Sequence, residues 1–326
     1  MLSRVASSLF WLGRYTERAE NYARFIDVNF NLSIDLPPEI KEQWDPLITA
    51  TGDKELFVSL FGEKSNRENA IFFLAFDKRS PNAIISTVEA ARENARIVRD
   101  TIPREIWEVL NDLHHYVQDA YRQKTWKDED PKDCFKQIKS RLQLLNGISY
   151  DTMPRTQVWY FTKMGQFLER ADKTSRVLDV KYHFLLPSVD EVGSPLDFLH
   201  WVALLKSVSG FNAYRKMYGK IAPTSIVEYL VLNRHFPRSI LFCLMGAENC
   251  LHEISEAKRG YSNPAEKAIG NLRSDLEFAD VNEVVKYGLH EYLDNFQIRL
   301  NEILSAVHEQ YFRIRSNFTD EIQHQA

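Results

Sequence analysis

One pattern occurs twice in this chain and decides how the rest is interpreted. Gly13–Val28 reads GRYTERAENYARFIDV, and Gly165–Val180 reads GQFLERADKTSRVLDV, an offset of 152 residues. Seven of the 16 aligned positions are identical. Self-similarity at a fixed separation is the signature of a duplicated structural unit. Both copies carry the periodicity of a helix, so each is predicted to lie in a long helix.

A second match along the chain supports the duplication. Phe73–Ile84 reads FLAFDKRSPNAI, and Tyr229–Ile240 reads YLVLNRHFPRSI, an offset of 156 residues. The two offsets differ by only four residues, which one small insertion explains. We therefore predict two diverged tandem repeats, residues 1–150 and 151–326, each led by a long helix. The sequence leaves open whether they form two cores or share one continuous core.

The composition and the placement of proline and glycine indicate an all-α protein, a multi-helix bundle. The 326 residues include only 12 Gly and 12 Pro, too few for the many turns of an all-β fold. Helical periodicity predicts long helices over residues 3–33, ended by Pro37-Pro38, and 155–186. Shorter helices are predicted over 39–50, 54–61, 67–76, 81–100 with Ser80 as its N-cap, 103–123 and 131–146. Further helices are predicted to start at Pro195, Thr224, Pro237, Pro264 and Asp280, with the last reaching about residue 315 before a frayed tail.

Charge and hydropathy exclude several classes of function. Forty-one Lys and Arg against 45 Asp and Glu give a formal net charge of -4, so no overall cationic field draws the chain to nucleic acid. No apolar run reaches the roughly 18–20 residues of a membrane span, and the N terminus lacks the pattern of a signal peptide. The expected compartment is the cytoplasm, without membrane or nucleic-acid partners. Cys134, Cys243 and Cys250 lack metal-binding spacing and are predicted core residues.

Two stripes run along each predicted long helix. One is apolar and is predicted to be a packing seam, with small residues at its middle that let a neighbouring helix approach closely. Those small residues are Ala19 and Ala23 in the first helix and Ala171 and Ser175 in the second. The other long helix, across a pseudo-twofold axis, is the simplest partner. The second stripe is charged and keeps its charge signs in both copies: Gly13, Glu17, Glu20, Arg24 and Asp27 match Gly165, Glu169, Asp172, Arg176 and Asp179.

The charged stripe allows two interpretations. Its acids and arginines are spaced as ion pairs within one helix, each worth roughly 0.3–0.5 kcal/mol at a surface, or they form buried pairs that bridge helices. Alternatively, they line a polar groove for a ligand, a peptide or a partner, since the planar arginine fork suits carboxylate and phosphate groups. The candidate binding residues are Arg14, Glu17, Arg18, Glu20, Arg24, Glu93, Asn94, Arg96, Glu169, Arg170, Asp172 and Arg176.

The dipeptides Glu17-Arg18 and Glu169-Arg170, each followed by alanine and an acid, resemble the ER motif of the Alpha-E family. Residues 91–96, ARENAR, and the pattern Phe161…Gly165…Glu169 resemble that family too, and the resemblance extends over essentially the whole chain. It implies an all-α bacterial protein whose genes lie beside those of a circularly permuted ATP-grasp protein, a transglutaminase-like protein and sometimes a proteasome-like peptidase. Those associations imply partners in amide or peptide chemistry.

Motifs for nucleotide binding, zinc proteolysis and serine hydrolysis are absent from the sequence. The Glu-x-x-His pair of di-iron bundles fits only at Glu321 and His324, so we expect no cofactor and no metal. The first functional hypothesis is a binding or scaffold protein that works with an ATP-grasp amide or peptide ligase and holds a partner or substrate in an acidic–basic groove. The alternative is an enzyme that acts on peptide or amino-acid substrates with paired Glu and Arg residues.

Overall fold

The computed structural model describes residues 1–35, 44–128, 130–184, 194–256 and 260–313. Within those ranges every regular element is a helix, so the fold is all-α, as the sequence predicts. The α-helices are α1 (Ser3–Asp35), α2 (Asp45–Thr51), α3 (Lys54–Phe61), α4 (Arg67–Ile71), α5 (Ile84–Ile97), α6 (Arg104–Gln123), α7 (Lys132–Thr152), α8 (Gln157–Phe184), α9 (Pro195–Ser207), α10 (Phe211–Tyr218), α11 (Pro223–Val227), α12 (Ile240–Ser255), α13 (Pro264–Glu277), α14 (Val281–Tyr287) and α15 (Leu289–Val307). Single π-helical turns, Phe72–Phe76, Glu228–Leu232 and His308–Phe312, directly follow α4, α11 and α15.

The long helices α1 and α8 agree closely with the predicted ranges 3–33 and 155–186. At a rise of about 1.5 Å per residue they are about 50 Å and 42 Å long. Each packs against several other helices. The predicted terminator Pro37-Pro38, the predicted tail 316–326 and the Glu321–His324 pair lie outside the described residues.

The two long helices pack on each other, and each carries a set of three further helices. In the first set, α5 and α7 pack on α1, and α6 packs on both of them. In the second set, α12 and α15 pack on α8, and α13 packs on both of them. The next helix after each long helix crosses over, so that α2 packs chiefly on α8 and α9 chiefly on α1. Buried apolar side chains from Ala6 to Phe312 form one continuous cluster through both sets.

Two helix starts differ from the prediction for the same reason. Prolines 81 and 237 were expected at the first position of a helix, but α5 and α12 begin three residues later, at Ile84 and Ile240. Each proline lies instead at the second position of a β-turn, in which Ala83 N donates to Ser80 O at 3.3 Å and Ser239 N donates to Phe236 O at 3.0 Å. Proline's fixed φ suits that position as well as a first helical turn, so the sequence signature is ambiguous.

The last predicted helix is interrupted, and one helix was missed. A single helix from Asp280 to about residue 315 was expected, but Gly288, at a φ of 110°, separates α14 from α15. Only glycine adopts this conformation without strain. The short helix α10 follows Gly210 and was not predicted. Among the described helices none is long and apolar enough to cross a membrane.

Candidate functional site

The two copies of the repeated pattern touch at their glycines. A Cβ atom on Gly13 would overlap the backbone carbonyl oxygen of Thr162, and a Cβ atom on Gly165 would overlap that of Phe10. The contact is reciprocal, because Phe10 precedes Gly13 by the same three residues by which Thr162 precedes Gly165. A direct backbone contact of α1 and α8 therefore lies on the charged stripe. Only a residue without Cβ permits direct backbone contact.

Further along each long helix, the arginine of each ER dipeptide binds the glutamate of the other dipeptide. Arg18 donates from Nε to Glu169 Oε1 at 2.6 Å and from a terminal nitrogen to Oε2 at 2.8 Å. Arg170 donates in the same way to Glu17, from Nε to Oε1 at 2.9 Å and from a terminal nitrogen to Oε2 at 2.7 Å. Each arginine therefore forms a bidentate ion pair with a carboxylate of the other long helix. This geometry is that of a strong and specific pair.

Both central carboxylates are fully buried and receive a further cation. Glu17 and Glu169 are each 0% exposed. Arg14 donates from Nε to Glu169 Oε2 at 2.8 Å, and Arg238, from the turn before α12, donates to Glu17 Oε1 at 2.8 Å. Burial raises the pKa of a carboxyl group, but the surrounding guanidinium groups outweigh burial and hold the pKa of both well below the usual 4.5. Both glutamates therefore remain charged.

The pairs within each helix belong to the same network. Arg24 donates to Glu20, and Arg176 Nε donates to Asp172 Oδ1 at 2.9 Å. Arg24 is only 2% exposed, and Arg238 also reaches Glu20 at 3.0 Å from a different element. The structure therefore shows buried pairs that bridge helices, rather than the weak surface pairs that helical spacing alone allows.

Positive charge exceeds negative charge in this network, although the whole chain has a formal net charge of -4. We call the network the ion-pair cluster. Among the described residues, its four carboxylates are Glu17, Glu20, Glu169 and Asp172, and its seven cations are Arg14, Arg18, Arg24, Arg170, Lys173, Arg176 and Arg238. Lys163 lies beside the cluster and donates to Gln166 Oε1 at 2.8 Å. Buried cations without enough counter-charge are unfavourable unless an anion from outside approaches them.

Two cations at this site have lowered pKa values. Burial and the neighbouring Arg238 lower the pKa of Arg24 to about 10, and burial and the neighbouring Arg170 lower the pKa of Lys163 to about 8. Arg24 Nε is also buried without a hydrogen-bond partner among the described residues. A buried donor of this kind is expensive to leave unsatisfied, so the cluster lacks one acceptor at this point.

An open groove runs beside the cluster, between α1, α7 and the turn after α9. It consists of two adjoining cavities of about 500 and 530 Å³ that share Arg24, Gln143 and Ser209. Its carboxylates are Glu20 and Asp27. We call it the basic groove, because the cations that line it are Arg24, Lys132, Lys139, Lys163, Arg170, Lys206 and Arg238.

A family model matches residues 1–312 of the chain. The chain belongs to the Alpha-E family. This family is described as an alpha-helical domain, predicted from sequence, with a conserved ER motif. In this Alpha-E chain the dipeptide Glu-Arg occurs twice, at residues 17–18 and 169–170. In the structure the glutamate of each dipeptide accepts hydrogen bonds from the arginine of the other, across the contact of α1 and α8.

Curated relatives match the Alpha-E chain over most of its length. An uncharacterised protein of Mycobacterium bovis is 22% identical over 321 residues, which are 94% of this chain and 35% of the relative. Two uncharacterised proteins of Mycobacterium tuberculosis show the same identity and coverage. The chain thus spans well under half the length of these relatives. No solved structure matches it.

Nine of the twelve candidate binding residues meet in the ion-pair cluster of the Alpha-E fold. The other three, Glu93, Asn94 and Arg96, lie on α5 and make their contacts there. Glu93 pairs with Arg92 at 3.1 Å and with Arg96 at 2.5 Å, and Asn94 Nδ2 donates to Ala90 O at 2.8 Å. Although α5 does pack on α1, these three side chains do not join the cluster, because they lie on a face of α5 that is turned partly to solvent.

Sequence reasoning missed several cations of the Alpha-E site. Lys163 precedes the charged stripe, and Arg238 lies in the proline turn before α12. The second sequence match aligns Arg238 with Asn82, and Asn82 Oδ1 accepts a hydrogen bond from Arg18. That alignment was the signal that could have placed Arg238 beside an ER motif. Lys139 and Lys206 carry no comparable signal, since only the fold brings α7 and α9 to α1.

The structure also bears on the predictions about metal binding and about the three cysteines of the Alpha-E chain. Within the ranges that the structure describes, no group of three or more His, Cys, Asp or Glu side chains is placed to hold a metal ion. Cys134, Cys243 and Cys250 are free thiols in buried positions, which confirms their assignment to the core. Burial raises the pKa of the Cys243 and Cys250 thiols to about 12, so neither is a reactive thiolate near neutral pH.

The stability of the Alpha-E chain is expected to fall in mild acid. Glu17 and Glu169 have a folded-state pKa well below the usual 4.5, so their contribution is fully present above about pH 5 and is lost progressively as the pH falls from 4.5 towards the folded-state pKa. Below pH 4.5, each such carboxylate lowers the free energy of unfolding by about 1.4 kcal/mol for every pH unit. Urea unfolding at a series of pH values between 7 and 3 measures it. A free energy of unfolding that stays constant down to pH 3 would contradict the buried charged pairs.

Proposed function

We propose that this Alpha-E chain is a binding or scaffold protein that holds an acidic part of a partner or substrate in the basic groove. One observation carries the proposal: among the described residues that line the groove, seven cations face only two carboxylates. A carboxylate from outside would supply the missing negative charge, and arginine forks suit it geometrically.

The state of the central carboxylates supports binding over catalysis. A general acid or base works best with a pKa near the working pH. The neighbouring arginines hold the pKa values of Glu17 and Glu169 far below that range, although burial alone would raise them. Neither carboxylate therefore exchanges a proton near neutral pH. We therefore assign the paired Glu and Arg residues to the architecture of the groove. The enzyme hypothesis gains no support from them.

Family membership supports the choice of partner. The Alpha-E resemblance implies gene neighbours that include a circularly permuted ATP-grasp protein, and we propose that amide or peptide ligase as the partner. The transglutaminase-like protein and the proteasome-like peptidase would act in the same system. A protein that presents an acidic segment suits a ligase of this class, because the acid component of amide synthesis is a carboxylate.

We also infer that the two helix sets are diverged tandem repeats. The supporting observations are the reciprocal glycine contacts, the exchanged ER pairs and the matching proline turns before α5 and α12. On this alignment the basic groove belongs to one side only. Arg238 and Lys163 correspond to Asn82 and Trp11 in the other copy, so the equivalent position lacks these two cations.

Lys163→Met tests the proposed function. The substitution removes a buried cation whose pKa burial and Arg170 already lower to about 8, and methionine fills similar space. Because the hydrogen bond to Gln166 Oε1 is lost with it, these effects oppose each other and the melting temperature should change little. The ATP-grasp protein encoded beside the gene should be retained by the wild-type chain in a pull-down and about tenfold less by the variant. The measurement is this pull-down paired with a thermal melt of each protein.

The control is Lys286→Gln, an exposed lysine on α14 away from the groove, which should leave both retention and melting unchanged. Wild-type retention should also weaken between pH 7 and 9, because Lys163 loses its proton there and with it the positive charge. Lys163→Met should not show that dependence. Equal retention by wild type and Lys163→Met, or a loss only in proportion to unfolding, would remove the support for the groove as a binding site.

A further inference from the structure

The basic groove is too long for a single small anion. Along α1 its lining runs from Glu20 to Asn31, which corresponds to about 16 Å at the rise of an α-helix. An extended peptide covers about 3.3 Å per residue, so roughly five residues would fill this length. The two cavities meet at Gln143 and Ser209, so one continuous ligand can occupy both.

Positive charge is present at both ends of the groove. Lys163, Arg170 and Arg238 line the end beside the ion-pair cluster. At the other end lie Lys132, Lys139 and Lys206, of which Lys139 is paired with Asp27 at 2.5 Å. Lys206 is exposed on the last turn of α9. A ligand with anionic groups spaced along a chain would use both ends, whereas a single carboxylate would use only one.

The polar lining between the two ends favours a peptide. The exposed amide of Gln143 at the junction can pair with either an N–H or a C=O group. Asp27, which is partly exposed, offers a carboxylate oxygen to a backbone N–H donor, and a peptide has such donors whereas a polyphosphate does not.

We propose that the ligand of the basic groove is an extended acidic peptide segment, bound along α1 with carboxylates at both ends. The proposal rests on the proposed function and names its ligand class. One carboxylate of the segment lies at the end that Lys163, Arg170 and Arg238 line, and another lies between Lys132 and Lys206. The peptide backbone between them faces Gln143.

The test is a fluorescence-anisotropy titration of the whole chain with labelled peptides. Hexaglutamate should bind, hexaglutamine should not, and diglutamate should bind at least about tenfold more weakly than hexaglutamate. Lys206→Gln should weaken hexaglutamate binding by about three- to fivefold and leave diglutamate binding unchanged, because the shorter peptide cannot reach both ends. Lys286→Gln is the control and should change neither. Tripolyphosphate and a short single-stranded DNA are tested as competitors and should displace the peptide poorly.

Each outcome separates the ligand class from the proposed function. Hexaglutamate that binds no better than diglutamate, or that is insensitive to Lys206→Gln, overturns the extended ligand. Stronger binding of tripolyphosphate or DNA than of hexaglutamate overturns the peptide class. If no peptide binds while the ATP-grasp protein is still retained in a Lys163-dependent manner, the ligand class fails alone. If that retention also fails, the proposed function fails with it.

Discussion

Replacing Glu169 by glutamine is expected to lower the free energy of unfolding by about 3–5 kcal/mol. The carboxylate is 0% exposed and accepts hydrogen bonds from Arg14 and Arg18 of the other long helix. Glutamine keeps the shape of the side chain but not its charge, so two arginines lose their counter-charge in a place that water does not reach. Urea unfolding at pH 7, followed by circular dichroism, measures the change.

Glu17→Gln should have an effect of similar size, because Arg170 and Arg238 depend on Glu17 in the same way. The matched control is Glu93→Gln, whose carboxylate pairs with Arg96 at the surface of α5; it should change stability by less than about 0.5 kcal/mol. Wild-type urea midpoints for both buried variants would show that the exchanged pairs contribute little to the contact between α1 and α8.

Gly13→Ala is expected to destabilise the protein by about 2–3 kcal/mol, the range of an overpacked core. The new methyl group would overlap the backbone carbonyl of Thr162, and a backbone atom within a helix cannot rotate away. The long helices would have to separate, which would stretch the ER pairs next to the contact. Gly165→Ala should behave alike, since it meets the carbonyl of Phe10 in the same manner. Thermal melts and urea unfolding measure both.

Gly147→Ala provides the matched control, because this glycine lies within α7 and a Cβ atom there would meet nothing within 4 Å. Alanine has the higher helix propensity, so this variant should be stabilised by about 0.5–1 kcal/mol. The same substitution should therefore have opposite signs at the two positions. A stabilised Gly13→Ala protein would mean that α1 and α8 do not touch through their backbones.

The long helices could be predicted because their signals are local. Periodicity fixed α1 and α8 to within a few residues, since a helix of this length repeats its pattern many times. Prolines 81 and 237 misled the prediction because a β-turn and a first helical turn need the same proline φ. Gly13 and Gly165 were seen in the pattern, but nothing in one sequence distinguishes a glycine that touches another backbone from one that does not.

The ion-pair cluster was predictable as a set of residues but not as a set of pairs. Spacing within α1 suggested Glu20 with Arg24, which the structure contains. It could not show that Glu17 and Arg18, adjacent in the chain, bind partners more than 150 residues away. The lining of the basic groove was only partly predictable, because the charged stripe supplied Glu20, Arg24 and Arg170 but not the lysines. Lysines from α7 and α9 meet there only because α9 crosses over to pack on α1.

The exchange of partners between the two ER motifs has a consequence for how this chain can change over time. A substitution that removes the charge of Glu17 leaves Arg170, 153 residues away, without its partner, and the same holds for Glu169 and Arg18. The two halves of the gene therefore cannot drift separately at these positions. We expect substitutions to occur as linked pairs across the halves, so that a chimera joining halves from two distant relatives would fold poorly wherever the pairs disagree.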